Sequence, residues 1–220
     1  MLRHFDRDIE QLKELLLRMG AMVEDAISDS IRALLERDSA IAERVIGSDD
    51  AIDRMELEVD QHTLQLIAKM QPAAVDLRFV ATAMKITPEL ERIADLAVDV
   101  AERAVELNRE PPLKPLIDIP RLALIAQDMV RQSLDAFVRR DAALARQVIA
   151  RDDEVDSLTE QSFRELLTYM LEDSRNISRA IRLTFVGKYF ERMADHATNV
   201  CEMVVYLVEG KVIKHSNEAP

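Results

Sequence analysis

Two nine-residue stretches decide the fold: ERIADLAVD at residues 91–99 and ERMADHATN at residues 191–199 place one acidic motif in both halves of the chain. A longer pair lies upstream, where residues 31–53 align without gaps to residues 134–156 and ten of these 23 aligned positions are identical. The offset is 103 residues upstream and 100 downstream, which marks residues 87–89 as an insertion in the first half. A repeat of this length predicts two copies of one structural unit.

The composition predicts that this unit is helical. The chain has 220 residues, only four of them glycine, and 4% of its residues are aromatic. Sandwiches and barrels need more turn glycines and more β-forming side chains than this. The apolar residues between positions 2 and 34 are spaced alternately by three and four residues, as on one face of a long helix. We therefore expect an all-α protein.

Helix start and stop signals divide each half into three long helices and one short one. In the first half we expect a long helix to about residue 36, a short helix over 38–47 between Asp38 and Gly47, and a third helix capped by residues 48–50 and ending near 70. A helix over 74–107 follows, with a kink or restart at Pro88. In the second half the pattern predicts helices over 118–139, 141–150, 152–172 and 176–209, with Asp118 as the first cap.

Four of the seven prolines lie at positions 111, 112, 115 and 120, which favours an extended connection between the halves. The predicted units are therefore a first repeat at 1–107, a proline-rich linker at 108–117, a second repeat at 118–214 and a disordered tail at 215–220.

Charge and hydropathy narrow the possible partners and the location. The formal net charge of −12 argues against nucleic acid as a partner. The single cysteine, Cys201, forms no internal disulfide and gives no sign of an oxidising compartment. No apolar run has the length of a membrane span, and charges interrupt the N-terminus where a signal peptide would be apolar. We expect a cytoplasmic protein that does not insert into a membrane itself.

Carboxylates form stripes on the predicted helices. Glu91, Asp95 and Asp99 are spaced by four residues and lie on one helical face, and Glu191, Asp195, Asn199 and Glu202 are their counterparts. Like charges at this spacing repel each other, so a cation or an arginine is needed to balance them.

A second set of carboxylates lies level with these stripes. If two antiparallel helices are joined near residue 71, residue 51 lies opposite residue 92. A turn near residue 174 pairs the equivalent helices of the second half in the same way. Each half would then present about four carboxylates together, a plausible all-oxygen site for one or more divalent cations. The candidate metal ligands are Asp49, Asp53, Glu91, Asp95 and Asp99 in the first half and Asp152, Asp156, Glu191, Asp195 and Glu202 in the second.

Other interpretations of these acidic residues remain open. Acidic runs on helices are usually solvated faces, and aspartates at 49–50 and 152–153 are common N-caps. Arg92 and Arg192 could pair with the stripes and make a metal unnecessary. Among the histidines, His196 is expected to be a partly buried structural residue, because it points away from Asp195 on the helix.

Motifs of catalysis are not found in the sequence. It contains no nucleophile elbow, phosphate-binding loop, dinucleotide fingerprint or cysteine pair. No histidine follows a glutamate by three residues, which argues against a ferritin-like di-iron centre. We expect the protein not to be an enzyme.

The sequence resembles the PhoU family of phosphate-transport-system regulators. The resemblance covers nearly the whole chain and is carried by the doubled helical unit and by the motifs LERIAD at 90–95 and FERMADHA at 190–197. It implies two tandem three-helix bundles related by pseudo-two-fold symmetry. It also implies iron, zinc or other divalent cations on the acidic motifs of some members. Asn199 departs from the motif, because it replaces the third carboxylate of the second half.

The resemblance further implies a negative regulator of the phosphate-starvation response. Such proteins act as adaptors between the ATPase subunit of the phosphate ABC transporter and a membrane sensor histidine kinase. A homodimer is also expected, since amphipathic bundles often pair. Two other functions remain: a metal-binding or metal-storage bundle, and a multinuclear metal hydrolase that uses bound water.

Overall fold

The computed structural model describes residues 2–70 and 74–213, and all its regular elements there are helical. The first half contains α1 (Leu2–Leu35), α2 (Ser39–Met70) and α3 (Ala74–Asn108). The second half contains α4 (Asp118–Arg139), α5 (Ala142–Ile149), α6 (Asp152–Glu172) and α7 (Ile177–Glu209), with a 3-10 turn at Ser174–Asn176. The predicted break at 71–72 and the predicted tail at 215–220 lie outside the described residues.

The two halves repeat each other in detail as well as in outline. Arg37 and Arg140 are 103 positions apart, and both have left-handed backbone conformations, with φ of 57° and 55°. The residue after each of them caps a helix: Asp38 accepts a hydrogen bond from the backbone of Ala40, and Asp141 accepts one from Leu144. The repeat identified in the sequence is therefore a structural repeat.

The helices form two tandem three-helix bundles that share one core, as the sequence analysis predicted. Helices α1 and α4 occupy equivalent positions in the two bundles, and so do α3 and α7. Each of these helices packs against its own equivalent across the interface, as pseudo-two-fold symmetry requires. Gln127 donates a hydrogen bond to the carbonyl of Glu24, its equivalent in the first bundle, at 3.0 Å. Phe79 of α3 stacks on Phe137 of α4 with ring centroids 4.6 Å apart.

The prediction of a short separate helix over 38–47 is wrong for the first bundle, because α2 runs unbroken from Ser39 to Met70. Ser48 does not cap a new helix; its hydroxyl donates to the carbonyl of Val45 at 2.7 Å, within the same helix. The predicted break does occur in the second bundle. There the backbone amide of Arg151 bonds the carbonyl of Val148 and separates α5 from α6.

Pro88 does not restart its helix, contrary to the prediction, since α3 is continuous through it. Proline removes the amide that would bond the carbonyl of Met84. Met84 and Pro88 both line an open cleft between α3 and α7, and this position allows the helix to continue without that bond.

The connection between the bundles is held in place by side chains. Arg37 donates to the carbonyls of Leu107 and Asn108 at 3.2 and 3.0 Å, and Arg179 donates to the carbonyl of Pro111 at 2.9 Å. Leu113 packs against the core. Asp118 begins α4 without capping it, because the preceding residue occupies the cap position and makes no side-chain cap bond. The domain boundaries proposed from the sequence stay predictions.

Among the described residues, 2–70 and 74–213, each helix lacks an apolar segment long enough to span a bilayer.

Candidate functional site

The first acidic cluster lies where α2 and α3 pack side by side. Its members are Asp49 and Asp53 on α2 and Glu91 and Asp95 on α3. The pKa of Asp95 is raised by partial burial and then by repulsion from Asp49 and Asp53. The pKa of Glu91 is raised by partial burial, then by Asp95, and further by Asp53. The level placement of these two carboxylate pairs is therefore present in the structure.

Glu56 is a further member of this cluster that the sequence analysis missed. Partial burial raises its pKa, and so do the negative charges of Asp60, Asp53 and Asp95. The signal was present in the sequence, since Glu56 follows Asp53 by three residues and Asp49 by seven, which is the spacing of one helical face.

The second acidic cluster joins Asp152 and Asp156 on α6 to Glu191 and Asp195 on α7. The pKa of Asp152 is raised from its ordinary value to about 6 by burial and then by the charges of Asp195 and Asp156. Burial followed by repulsion from Glu191 raises the pKa of Asp156 and of Asp195. This cluster has a cation that the first lacks at the same position: Lys188 bonds both carboxylate oxygens of Glu191, at 2.8 and 2.7 Å.

Two of the ten candidate ligands lie apart from these clusters. Asp99 faces α7, and although burial raises its pKa, the charges of Arg103 and Arg192 act to lower it. Glu202 lines the cleft between α3 and α7, about three turns further along α7 than Glu191. The place of these two residues among the candidate metal ligands stays a prediction.

A partly buried polar network joins the bundles beside the cleft. Glu89 lies 2.7 Å from Nδ1 of His196, accepts a hydrogen bond from Asn199 at 3.0 Å, and pairs with Arg92 at 3.0 Å. Burial alone would raise the pKa of Glu89, but the hydrogen bonds with His196 and Asn199 lower it below its ordinary value. The expectation of a partly buried structural histidine agrees with the placement of His196. Glu89 was identified only as part of an insertion.

The donor set of the clusters favours some metals over others. Its oxygens suit magnesium, manganese, calcium or iron better than zinc, which prefers nitrogen and sulfur ligands. In the part of the chain that the structure describes, no three histidine, cysteine, aspartate or glutamate side chains stand close enough to hold one ion. The chemistry of the donors fits a hard cation, and the side chains of each cluster would have to rotate to converge on one.

Both repeats match a known family. The family model of the PhoU domain matches residues 16–104 and again residues 119–204. The chain belongs to the PhoU family. It is 44% identical over 211 residues to the phosphate-specific transport system accessory protein PhoU homolog of Aquifex aeolicus, covering 96% of each chain. The homologue from Clostridium acetobutylicum is 42% identical over 210 residues, covering 95% of this chain and 96% of the relative.

Solved PhoU structures have the same fold. The crystal structure of PhoU from Pseudomonas aeruginosa superposes with a TM-score of 0.89 at 39% identity, over 94% of this chain and 100% of that one. The phosphate transport system regulatory protein PhoU of Streptococcus pneumoniae gives a TM-score of 0.87 at 25% identity, over 95% and 99% of the chains. These relatives are named as accessory and regulatory proteins, and this PhoU family member is likewise not an enzyme.

Proposed function

We propose that this PhoU family member is a cytoplasmic negative regulator of the phosphate-starvation response. It links the ATPase subunit of a phosphate ABC transporter to a membrane sensor histidine kinase and acts as a homodimer. The observation that carries the proposal is the match of both repeats to the PhoU domain over nearly the whole chain. The relatives are named as accessory proteins of phosphate-specific transport, and this supports a role for the chain in the same system.

The shape of the molecule suits an adaptor. Long helices sharing one core make a rigid body with two acidic clusters on its surface, and helix faces are common docking sites for partner helices. An acidic surface also raises the rate at which a basic partner surface is found.

Deletion of the gene tests the regulatory role. In phosphate-rich medium we expect the deletion strain to secrete phosphatase at the level of a starved culture, and the wild-type gene to restore repression. Low phosphatase activity in the deletion strain, with no second PhoU gene in the genome, would contradict the proposal and favour a metal-storage bundle.

The same proposal assigns cation binding to the acidic clusters. Asp49, Asp53, Glu91 and Asp95 would hold a divalent cation in the first bundle, and Asp152, Asp156, Glu191 and Asp195 would hold one in the second. A bound cation supplies positive charge that cancels the repulsion within each cluster. The raised pKa of Asp95 and the pKa of about 6 at Asp152 support this, because each carboxylate lacks sufficient positive charge nearby.

Metal analysis of the purified protein tests cation binding. After dialysis against manganese, iron or magnesium, we expect the wild-type protein to retain metal and the double variant Asp95→Asn, Asp195→Asn to lose most of it. The variant Asp25→Asn, an exposed aspartate on α1, is the matched control. Equal metal content in all three proteins would contradict the assignment, and partner binding should then be measured with the double variant. Metal-dependent hydrolysis of a phosphate ester that the double variant loses would instead favour the hydrolase.

A further inference from the structure

The surface of the second bundle carries an exposed apolar stripe on both helices of the α6–α7 hairpin. Phe163, Leu167 and Leu171 are spaced by four residues along α6, and Ile177, Ile181 and Phe185 by four along α7. All six are exposed by 40% or more of their surface, and Leu171 reaches 80%. Scattered apolar residues are common on protein surfaces, but a contiguous apolar face on a helix pair marks an interaction site.

The two stripes form matched rungs. The helices run antiparallel from a turn centred at residue 174, so residues at equal distance from that turn lie level. The pairs are Phe163 with Phe185, Leu167 with Ile181, and Leu171 with Ile177. Three level pairs of exposed apolar side chains therefore flank the groove between α6 and α7 over about three turns of helix, and Phe185 also stacks on Tyr189 of its own helix.

The second acidic cluster continues this groove away from the turn. On α7 the residues at 177, 181, 184, 188, 191 and 195 alternate between spacings of four and three, so Ile177, Ile181, Glu191 and Asp195 share one helical stripe. On α6 the same holds for Asp152, Asp156, Phe163 and Leu167. One face of the hairpin is therefore apolar near the turn and carries four carboxylates and a single cation, Lys188, further along.

The first bundle shows that the fold does not require this face. The positions aligned with the six apolar residues are Asp60, Leu64, Ala68, Ala74, Arg78 and Thr82, and only Leu64 among them is large and apolar. The first bundle thus folds without these rows of large apolar side chains, although Leu57, Leu64 and Leu77 are exposed on its helix pair. The groove needs an explanation outside the folding of the bundle.

We propose that the α6–α7 face of the second bundle binds a basic amphipathic helix of a partner protein, with apolar side chains over the three rungs and lysines or arginines over the acidic cluster. This inference deepens the proposed adaptor function, on which it rests, by naming a surface and the chemistry of its partner. It uses helix-in-groove recognition, in which apolar anchors supply affinity and charges fix direction.

Charge separates this occupant from two others. A second copy of the chain can cover the apolar rungs in an antiparallel two-fold contact, but its matching face carries the same four carboxylates and does not neutralise the acidic cluster. An anionic membrane surface would be repelled by Asp152, Asp156, Glu191 and Asp195. A basic amphipathic helix complements both parts of the face.

A synthetic peptide of 21 residues tests the inference on the full-length protein. The probe carries leucines on one helical face through its first three turns and lysines on that face in its last two, and a second probe has glutamates in place of the lysines. Binding is followed by fluorescence anisotropy. We expect the double variant Leu167→Ser, Ile181→Ser to bind the basic probe at least tenfold more weakly, and Leu64→Ser, the matched change in the first bundle, to bind within twofold of wild type.

The charge is tested separately. Asp156→Asn with Glu191→Gln should weaken binding of the basic probe several-fold at low salt and much less at high salt, and the acidic probe should bind at least tenfold more weakly than the basic one. Equal binding of the two probes, no binding of the basic probe, or an equal loss in Leu64→Ser would overturn the inference. So would a groove variant that changes only self-association in sedimentation, or only attachment to vesicles of neutral and anionic phospholipid.

The outcome is distinguishable from failure of the proposed function. If the groove variant loses probe binding but still restores phosphatase repression in the deletion strain, the surface is not used in regulation and the inference is overturned. If deletion of the gene leaves phosphatase activity unchanged, the proposed function fails whatever the peptide does.

Discussion

The two acidic clusters occupy aligned positions of the internal repeat, yet their charge is balanced differently. In the second bundle Lys188 precedes Glu191 by three residues and bonds both of its oxygens. The aligned lysine of the first bundle is Lys85, which the insertion at 87–89 moves to six residues before Glu91. Residues six apart lie on different faces of a helix, and Lys85 lines the α3–α7 cleft instead. Three inserted residues thus leave the first cluster without that lysine.

The same insertion contains Glu89, whose pKa is shifted in the opposite direction from those of the cluster carboxylates. Glu89 accepts hydrogen bonds from the other bundle and has a lowered pKa, whereas the cluster carboxylates Asp95 and Asp152 have raised ones. The contrast separates two uses of a negative charge. A paired carboxylate stabilises the folded state, and an unpaired one destabilises it unless a ligand arrives.

The largest effect is expected at Glu89. The substitution Glu89→Ala leaves the partly buried His196 and Asn199 without their shared acceptor and should lower the free energy of unfolding by about 1–3 kcal/mol at pH 7. A lowered carboxyl pKa contributes stability above the ordinary glutamate range and loses it as the pH falls through the folded value. The cost of the substitution should therefore shrink in acid. Urea unfolding at several pH values measures it.

Glu89→Gln is the matched control, because it keeps an acceptor oxygen and removes only the charge. Its cost should be about half that of the alanine variant. Substitutions on protein surfaces usually change the free energy of unfolding by no more than about 0.5 kcal/mol. A change this small in Glu89→Ala would contradict the role of Glu89 as a link between the bundles.

The next effect has the opposite sign. Asp152→Asn removes an unpaired charge and should stabilise the protein by about 1–2 kcal/mol at pH 7, less than the full pKa shift implies because the carboxyl is partly solvated. A raised carboxyl pKa means that stability is lost as the pH rises from the ordinary aspartate value to about 6. The gain should therefore be full above pH 6 and absent below the ordinary value.

Thermal unfolding from pH 3 to 8 measures this gain, and a carbon-detected titration of the Asp152 carboxyl locates its midpoint. Asp153→Asn, an exposed neighbour on α6, is the control and should change stability much less. A gain that is independent of pH would show that repulsion is not its cause.

A smaller effect on stability is expected at Gly47, because α2 is continuous there whereas the equivalent segment of the second bundle is split into α5 and α6. Gly47 lies inside α2, and a Cβ added there would meet no atom within 4 Å. Gly47→Ala should therefore stabilise the protein by about 0.5–1 kcal/mol, because alanine loses less backbone entropy in a helix. The aligned residue is Ala150, and Ala150→Gly is the reciprocal control, with a smaller loss expected at the end of α5. Chemical unfolding resolves both, and a loss of stability in Gly47→Ala would contradict the open space around it.

The fold was predictable because its signals are periodic and doubled. The spacing of apolar residues in α1, the caps at Asp38 and Asp141, and the repeat itself all point to the same bundles. The predicted helix breaks are absent where a local signal is weaker than the surrounding helix. Gly47 and Pro88 are each helix-weakening residues, but both lie in helices of more than 30 residues whose packing outweighs them.

The candidate sites were predictable only as far as helical spacing extends. Spacing placed Asp49 and Asp53 beside Glu91 and Asp95, because the hairpin turn fixes which residues lie level. It could not place Glu89 or Asp99, whose neighbours come from the other bundle. The packing of α3 against α7 decides those contacts, and no periodicity within one helix reports it.

The smallest stability effect is expected at the lysine that distinguishes the two clusters. Lys188→Met should cost only about 0.3–0.5 kcal/mol, because the pair with Glu191 is solvent-exposed and spaced by three residues. The substitution Lys188→Met should affect cation binding more than stability, because without this lysine the second cluster has the charge balance of the first. Manganese should then raise the melting temperature of the variant more than that of wild type, and the pKa values of Asp156 and Asp195, which Lys188 lowers, should rise.

Lys85→Met is the matched control, since the insertion has moved that lysine away from its cluster. If both variants respond to manganese as wild type does, Lys188 does not set the difference between the clusters.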